Sequence, residues 1–171
     1  MSMQQKAQSA ARIIQDAGGR VVGRTRLQKI AYLLHAAGLE GEFSFVYKHY
    51  GPFSEDLAQY TRIGELLGLL SATEQQAQWG GSYSTYTVNE QHVDHVNSAR
   101  NQLAHIAAEA DAVELELAAT AVFLQKEGYP DPWAETARRK PEKAEGGRIK
   151  KAKVLYRQLQ AVQVPTALPN I

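Results

Sequence analysis

Apolar residues recur at helical spacing through the first seventy residues of the chain. The spacing predicts helices over residues 4–17, 24–36 and 54–69, and Ser54 is a suitable N-cap for the third. In this third helix we expect an apolar stripe to face the core, formed by Leu57, Ile63, Leu66, Leu67 and Leu70. The N-terminal half is therefore predicted to be largely helical.

Shorter alternating patterns predict strands between and after these helices. The strands are expected at residues 21–22, 43–47, 72–78 and 83–88. The last two segments flank Trp79-Gly80-Gly81-Ser82 and predict a hairpin with Trp79 at its tip. The dipeptide Gly51-Pro52 indicates a turn before the third helix.

After Val88 the pattern becomes helical. Helices are predicted at residues 89–109, 111–127, 131–139 and 147–160, and residues 163–171, which contain two prolines, are predicted to be a frayed tail.

These elements predict an α+β protein that is mostly helical. The order helix, strand, helix, helix and hairpin is that of a winged helix, with one extra strand inserted before the third helix. The fold expected is a winged-helix-like N-terminal half (1–90) with a β-hairpin wing, followed by a C-terminal helical extension (91–162). The two parts are expected to pack together as one domain.

Composition narrows the class of protein. The 171 residues include no cysteine, which excludes disulfides and thiolate chemistry. No apolar run approaches the length of a transmembrane helix, and the first residues lack the apolar core of a signal peptide. We therefore expect a soluble cytoplasmic protein with no membrane partner.

The net charge is +1, but basic and acidic residues are unevenly distributed along the chain. Residues 71–137 carry two basic and ten acidic side chains, whereas residues 138–171 carry nine basic and two acidic ones. Either the two segments pair in the fold, or the basic segment forms a surface for an acidic partner.

Three stretches occur in a familiar order. They are Gly-Arg-Thr-Arg-Leu-Gln-Lys-Ile-Ala-Tyr-Leu-Leu at 23–34, Tyr-Lys-His-Tyr-Gly-Pro-Phe-Ser-Glu-Asp-Leu at 47–57 and Leu-Glu-Leu-Ala-Ala-Thr-Ala-Val-Phe-Leu at 115–124. Together with a later Gly-Tyr break and a Lys-Pro pair at Pro141, they resemble the YwgA family of small prokaryotic proteins. The first two stretches also resemble, more distantly, the SocA-like Panacea antitoxin domain.

The resemblance implies a winged-helix-like fold. On the Panacea side it implies a protein that neutralises or adapts partner proteins, and on the YwgA side it implies no particular activity.

The first two stretches and the hairpin tip contain the candidate residues for binding a protein partner, such as a toxin or another effector. These residues are Arg24, Arg26, Gln28, Lys29, Tyr32, Lys48, His49, Tyr50 and Trp79. Cationic side chains at a helix start oppose the helix dipole, which makes Arg24 and Arg26 unusual and suits them to an anion. We expect Arg26→Glu or Trp79→Ala to weaken a partner complex while lowering the melting temperature by no more than a few degrees.

The basic C-terminal segment offers an alternative, namely nucleic acid. Its candidate residues are Arg138, Arg139, Lys140, Lys143, Arg148, Lys150, Lys151, Lys153 and Arg157. The third helix is unsuited to groove docking, because it offers only Arg62 against Glu55, Asp56 and Glu65.

Catalytic motifs are absent from the sequence. There is no Gly-x-Ser-x-Gly elbow and no phosphate-binding glycine loop. His92 and His95, with Asp94 beside them, have helical spacing but form no recognised metal motif. We therefore predict no catalytic residue, no metal and no cofactor.

The leading hypothesis is a non-enzymatic, antitoxin-like or adaptor-like interaction module. The alternatives are a nucleic-acid-binding regulator and, third, an enzyme with a site of scattered His, Arg and Tyr side chains. The apolar strip of the N-terminal helix is compatible with a homodimer.

Overall fold

The computed structural model describes residues 2–89 and 98–171. The helices in these ranges are α1 (Met3–Asp16), α2 (Arg24–Ala36), α3 (Glu55–Leu66), α4 (Ala99–Glu109), α5 (Ala112–Lys126), α6 (Pro132–Arg139), α7 (Pro141–Ala144) and α8 (Arg148–Gln160). The strands are β1 (Arg20–Val22), β2 (Val46–Lys48), β3 (Gly51–Phe53), β4 (Ser71–Gln76) and β5 (Ser82–Thr87). The predicted α+β class with a large helical share is confirmed.

Polar side chains fix where several helices begin, by accepting hydrogen bonds from otherwise unpaired N–H groups. Before α1, Ser2 accepts from the Gln5 backbone (3.1 Å) and donates its own N–H to the Gln5 side chain (2.9 Å). Ser54 accepts from the backbone of Leu57 at the start of α3, and Asp111 caps α5 in the same way. Each cap typically stabilises the protein by about 1 kcal/mol.

The larger sheet is antiparallel, in the order β1-β5-β4. Tyr86 in the central strand lies opposite Val21 on one side and Ala72 on the other. β4 and β5 form the predicted hairpin, and its turn is closed by a hydrogen bond from Ala77 N to Gly81 O (2.8 Å).

The smaller sheet corrects one prediction. Gly51 and Pro52 do not form a turn but belong to β3, where Pro52 lies opposite Tyr47 of β2. The turn consists of His49 and Tyr50. The strand predicted at 43–47 begins only at Val46. Phe43 lies outside any strand, and its side chain is buried in the core.

The core is built around α2 and α5. α2 packs against α4 and α5, and α5 also packs against α6 and α8. Leu33 of α2, Leu117 of α5 and Leu159 of α8 are completely buried. The elements before and after residues 90–97 therefore share one hydrophobic core.

A buried ion network also joins the two halves. Arg100 of α4 donates from Nε to Asp16 at the end of α1 (2.7 Å) and from Nη2 to Glu40 (3.2 Å). It also donates to the backbone oxygen of Leu39. All three charged side chains are buried, so removing one partner would leave an uncompensated charge.

The apolar stripe predicted for α3 is wrong at two positions. Leu66 and Leu67 are exposed, at 85% and 52% of their full surface. α3 faces α1 through Leu57, Thr61 and Gly64, and Gly64 allows the helix to approach the backbone oxygen of Ala7. Leu66 and Leu67 lie beyond this contact, at the end of the helix.

Residues 163–171, predicted to be a frayed tail, instead pack against the protein. Leu168 is buried, and Thr166 N donates to Ala37 O (3.0 Å). From α8, Tyr156 and Gln160 both donate side-chain hydrogen bonds to the oxygen of Pro169. Because these groups satisfy the backbone of the tail, its two prolines do not prevent docking.

The helix predicted at 89–109 is described only from Ser98, which caps α4. Its earlier part lies outside the described residues. Within those residues, no helix combines the length and apolar character needed to cross a membrane.

Candidate functional site

The two arginines at the start of α2 have different environments. Arg24 is exposed and pairs with Glu74 of β4 (3.1 Å), a surface ion pair of little energetic weight. Arg26 is half-buried and donates to the backbone oxygens of Val22 (3.1 Å), Ala108 (3.1 Å) and Ala110. Arg26 therefore caps the C-terminal end of α4, where unpaired carbonyl groups favour a cation.

Gln28, Lys29 and Tyr32 of α2 were predicted to contact a partner. All three are buried and contact the protein itself, which corrects that prediction. Gln28 exchanges two hydrogen bonds with the backbone of Ser54 (3.0 and 2.8 Å). Lys29 donates to the backbone oxygen of Pro52 (2.9 Å). Tyr32 packs edge-on against Phe45, with ring centroids 5.3 Å apart. Gln28 and Lys29 thus hold α2 against β3 and the start of α3, and Tyr32 packs α2 against the residue that precedes β2.

A groove lies between α2, α3 and the β4–β5 hairpin, and we call it the hairpin groove. Its volume is about 590 Å³. Apolar atoms of Leu27, Phe53 and Ala72 contribute to its lining. Charged residues of both signs also line it: Arg24, Glu55, Arg62, Glu65 and Glu74.

The elements around the hairpin groove also carry exposed apolar side chains. Leu66, at the end of α3, is 85% exposed, and Trp79, at the tip of the hairpin, is 77% exposed. The Trp79 indole lies across Gly81, where an added β-carbon would approach its ring within 1.6 Å. Gly81 therefore allows the indole to fold over the hairpin turn.

A second surface joins two sets of residues that were predicted separately. Lys140 of the basic segment donates to the backbone oxygen of His49 (2.9 Å). Lys143 places its Nζ atom 4.7 Å from the centroid of the Tyr50 ring. We call Lys48, His49, Tyr50 and Lys143 the basic–aromatic surface, and Lys140 is buried beneath it.

Glu116 of α5 is the charged centre beneath this surface. Its carboxylate pairs with Lys140 (3.1 Å) and Lys143 (2.7 Å). Burial lowers the pKa of the nearby Lys29 to about 8; the negative charge of Glu116 opposes this shift, and the charges of Lys140 and Lys143 add to it. Two ammonium groups thus pair with one buried carboxylate, and the ammonium group of Lys29 lies within reach of its charge.

Gly51 is held close to this cluster. A β-carbon at Gly51 would lie 2.4 Å from the Oγ1 atom of Thr120, and the φ of Gly51 is +92°. Thr120 is fully buried, and its Oγ1 atom has no hydrogen-bond partner within residues 2–89 and 98–171.

The basic segment divides into paired and unpaired cations. Arg138 and Arg139 both pair with Glu135 (2.6 and 3.6 Å), and Lys140 is buried against Glu116. Lys140 is therefore not available to a phosphate, which corrects that part of the nucleic-acid prediction.

Helix α8 contains the cations without partners. The side chains of Arg148, Lys150, Lys151 and Arg157 are exposed and make no hydrogen bond or ion pair among the described residues. Lys153 is half-buried, with Nζ 5.8 Å from the Trp133 ring centroid. α8 contains no acidic residue.

No group of three or more metal-ligating side chains occurs within residues 2–89 and 98–171. His92, Asp94 and His95 lie outside these residues. His35 approaches the backbone oxygen of Glu40 (3.3 Å), whereas His49 is exposed in the β2–β3 turn.

Sequence reasoning missed the role of Glu116. The available signal was a carboxylate within the apolar run 115–124. A buried acid of this kind requires a cationic partner, and the nearest basic segment supplies Lys140 and Lys143.

No family model matches the chain, and comparison with curated proteins gives no match.

Proposed function

We propose that this protein is a non-enzymatic interaction module, antitoxin-like or adaptor-like, that binds a protein partner at the hairpin groove. The observation that carries the proposal is the position of Leu66 and Trp79. They are the two most exposed large apolar side chains among the described residues, and both lie on elements that enclose the groove. Exposed apolar anchors beside a mixed-charge rim are typical of protein interfaces.

The proposal includes a winged-helix-like assignment for residues 3–87. The order α1-β1-α2-α3-β4-β5 and the sheet order β1-β5-β4 support it, with the β2–β3 pair as the insertion before α3. In this assignment the hairpin is the wing. Glu55, Glu65 and Glu74 would repel phosphates, so the groove suits a protein better than a DNA backbone.

The resemblance of stretches 23–34 and 47–57 to the Panacea domain supports an antitoxin-like role. In the structure, several of these residues serve the fold, including Arg26, Gln28 and Lys29. Contact with the partner is therefore assigned to Arg24, Leu66 and Trp79.

The test compares tagged wild-type protein with Trp79→Ala and Val154→Ala after cross-linking in the native host. Val154 is the matched control, because it is a 48% exposed apolar residue on α8. We expect one nuclease-resistant protein adduct that Trp79→Ala reduces and Val154→Ala leaves unchanged. Equal recovery of the adduct with both variants would overturn the assignment to the groove.

A second candidate function is nucleic-acid binding by α8, favoured by four exposed cations that have no ion-pair partner in the part of the chain that the structure describes. The test is fluorescence anisotropy with a short labelled duplex across a range of salt concentrations. Replacing Lys150, Lys151 and Arg157 by Glu is expected to reduce the salt slope by about 3. Arg138→Gln is the control, because Arg138 is already paired with Glu135. A salt-independent signal would remove this candidate.

A further inference from the structure

An aromatic cleft lies on the side of the protein formed by β2, the end of α5 and α6. Its volume is about 390 Å³, within the range of small-ligand sites. Phe45, Tyr47, Phe123 and Tyr129 contribute its aromatic lining. Four aromatic residues in one small cleft indicate a planar apolar ligand.

The walls of the aromatic cleft are held by the core. The rings of Tyr47 and Phe123 lie 6.0 Å apart, inclined at 45°. The buried Tyr32 ring lies behind them, 5.9 Å from Phe123 and 5.3 Å from Phe45. A ligand ring would therefore meet side chains that are already ordered, which lowers the entropic cost of binding.

One cation is positioned at the cleft. The Arg139 guanidinium lies 4.8 Å from the Tyr47 ring centroid and 5.1 Å from that of Tyr129, and it donates to the Tyr129 hydroxyl (2.7 Å). Its ion pair with Glu135 is long (3.6 Å), whereas the same carboxylate lies 2.6 Å from Arg138. Arg139 therefore has a fixed orientation and a charge that is only partly compensated.

One carboxylate lines the same cleft. Glu127, directly after α5, is exposed and forms no ion pair among the described residues. The aromatic cleft thus offers a cationic group, an anionic group and an apolar lining. A ligand that satisfies all three carries a carboxylate, an ammonium group and an aromatic ring.

We propose that the aromatic cleft binds a free aromatic α-amino acid. The carboxylate of the ligand meets Arg139, its ammonium group meets Glu127, and its ring packs on Tyr47 and Phe123. This site shares no residue with the hairpin groove. The proposal of amino-acid binding is therefore independent of the proposed partner binding.

The experiment is ligand-observed saturation-transfer NMR on the full chain, titrated with L-phenylalanine. Three further probes each lack one feature: phenethylamine lacks the carboxylate, phenylacetate lacks the ammonium group, and L-leucine lacks the ring. We expect L-phenylalanine to bind with a Kd of about 1 mM or below, and each other probe to bind about tenfold more weakly.

Two arginine variants provide the matched comparison. Arg139→Gln is expected to weaken L-phenylalanine about tenfold, because a charge-assisted contact is lost. Arg148→Gln is expected to leave binding unchanged, since Arg148 is exposed on α8, does not line the cleft and does not pair with Glu135. Tyr129→Ala, at an exposed wall position, is a second variant that should weaken binding while retaining the wild-type melting curve.

Any of three results would overturn the proposal. The first is no saturation transfer to L-phenylalanine at millimolar concentrations. The second is equal binding of phenethylamine, which would indicate a simple cation site among aromatic rings. The third is equal loss of binding in Arg148→Gln and Arg139→Gln.

Discussion

The Nζ atom of Lys29 donates a hydrogen bond to the backbone oxygen of Pro52 at 2.9 Å, from a side chain that is completely buried. This bond ties α2 to β3, and it places an ammonium group where burial lowers its pKa to about 8. The folded protein therefore holds a proton at Lys29 less tightly than the unfolded chain does.

Stability should consequently rise with pH between about 8 and 10. In this window the unfolded chain binds more protons at Lys29 than the folded protein does, so the free energy of unfolding increases, by about 2 kcal/mol. Above pH 10 it should fall again, because burial raises the pKa of Tyr32 and Tyr156 in the folded state. Urea denaturation at a series of pH values measures both limbs. Lys29→Met should remove most of the rise and leave the contribution of Lys126, whose pKa is also lowered by burial. A rise of unchanged size in this variant would assign it to another group.

Arg26→Glu should destabilise the protein by about 2 to 4 kcal/mol, because it places a carboxylate against the carbonyl groups of Ala108 and Ala110. The structure thus reverses the expectation, formed from the sequence, that this change leaves the melting temperature nearly unaltered. Arg24→Glu is the matched control, two residues away and exposed, and it should cost less than about 1 kcal/mol. Thermal denaturation of both variants decides the matter, and equal shifts would contradict the capping role of Arg26.

Gly51→Ala should destabilise the protein by more than about 2 kcal/mol. The new methyl group would meet Thr120 Oγ1 at 2.4 Å, and the φ of +92° disfavours any β-carbon. Adding Thr120→Ala should restore the part of the unfolding free energy that is lost through the clash with Thr120. The part that is lost through the positive φ of residue 51 should remain. A double-mutant cycle by chemical denaturation separates the two, and complete additivity would show that Thr120 does not limit this site.

Leu168→Ala should cost about 2 kcal/mol or more, because Leu168 is buried in the core. Pro165→Ala, at an exposed position of the same segment, serves as the control and should have little effect. Differential scanning calorimetry of the two variants tests whether the last residues belong to the cooperative unit. Identical melting profiles would mean that the tail contributes nothing to stability.

The sequence predicts most helices well, because their limits depend on local chemistry. Ser54 and Asp111 cap helices within a few residues of the predicted starts, and the bounds of α2 coincide with the prediction at 24–36. The errors arise where distant contacts decide. Leu66 has helical spacing, yet no element in the described part of the chain covers the end of α3, and this side chain is exposed.

The candidate sites were less predictable from the sequence. A lysine or arginine looks the same there whether its side chain is solvated, contacts a partner or bonds to the protein's own backbone. Lys29 and Arg26 were predicted to contact a partner, but they satisfy backbone oxygens at Pro52 and Ala108. Trp79 was placed correctly at the hairpin tip, since a hairpin this short leaves no room to bury an indole there. The aromatic cleft could not be predicted, because Tyr47, Phe123 and Arg139 meet only in the folded chain.

The two tryptophans lie in opposite surroundings, since Trp133 is buried edge-on against Tyr156 while Trp79 is exposed across Gly81. Their fluorescence should therefore separate into a short-wavelength component from the core and a long-wavelength component from the hairpin tip. A ligand that covers the hairpin would shift only the second component towards the blue, and unfolding would shift only the first towards the red. The chain thus contains an intrinsic optical reporter for each process, and neither requires a label.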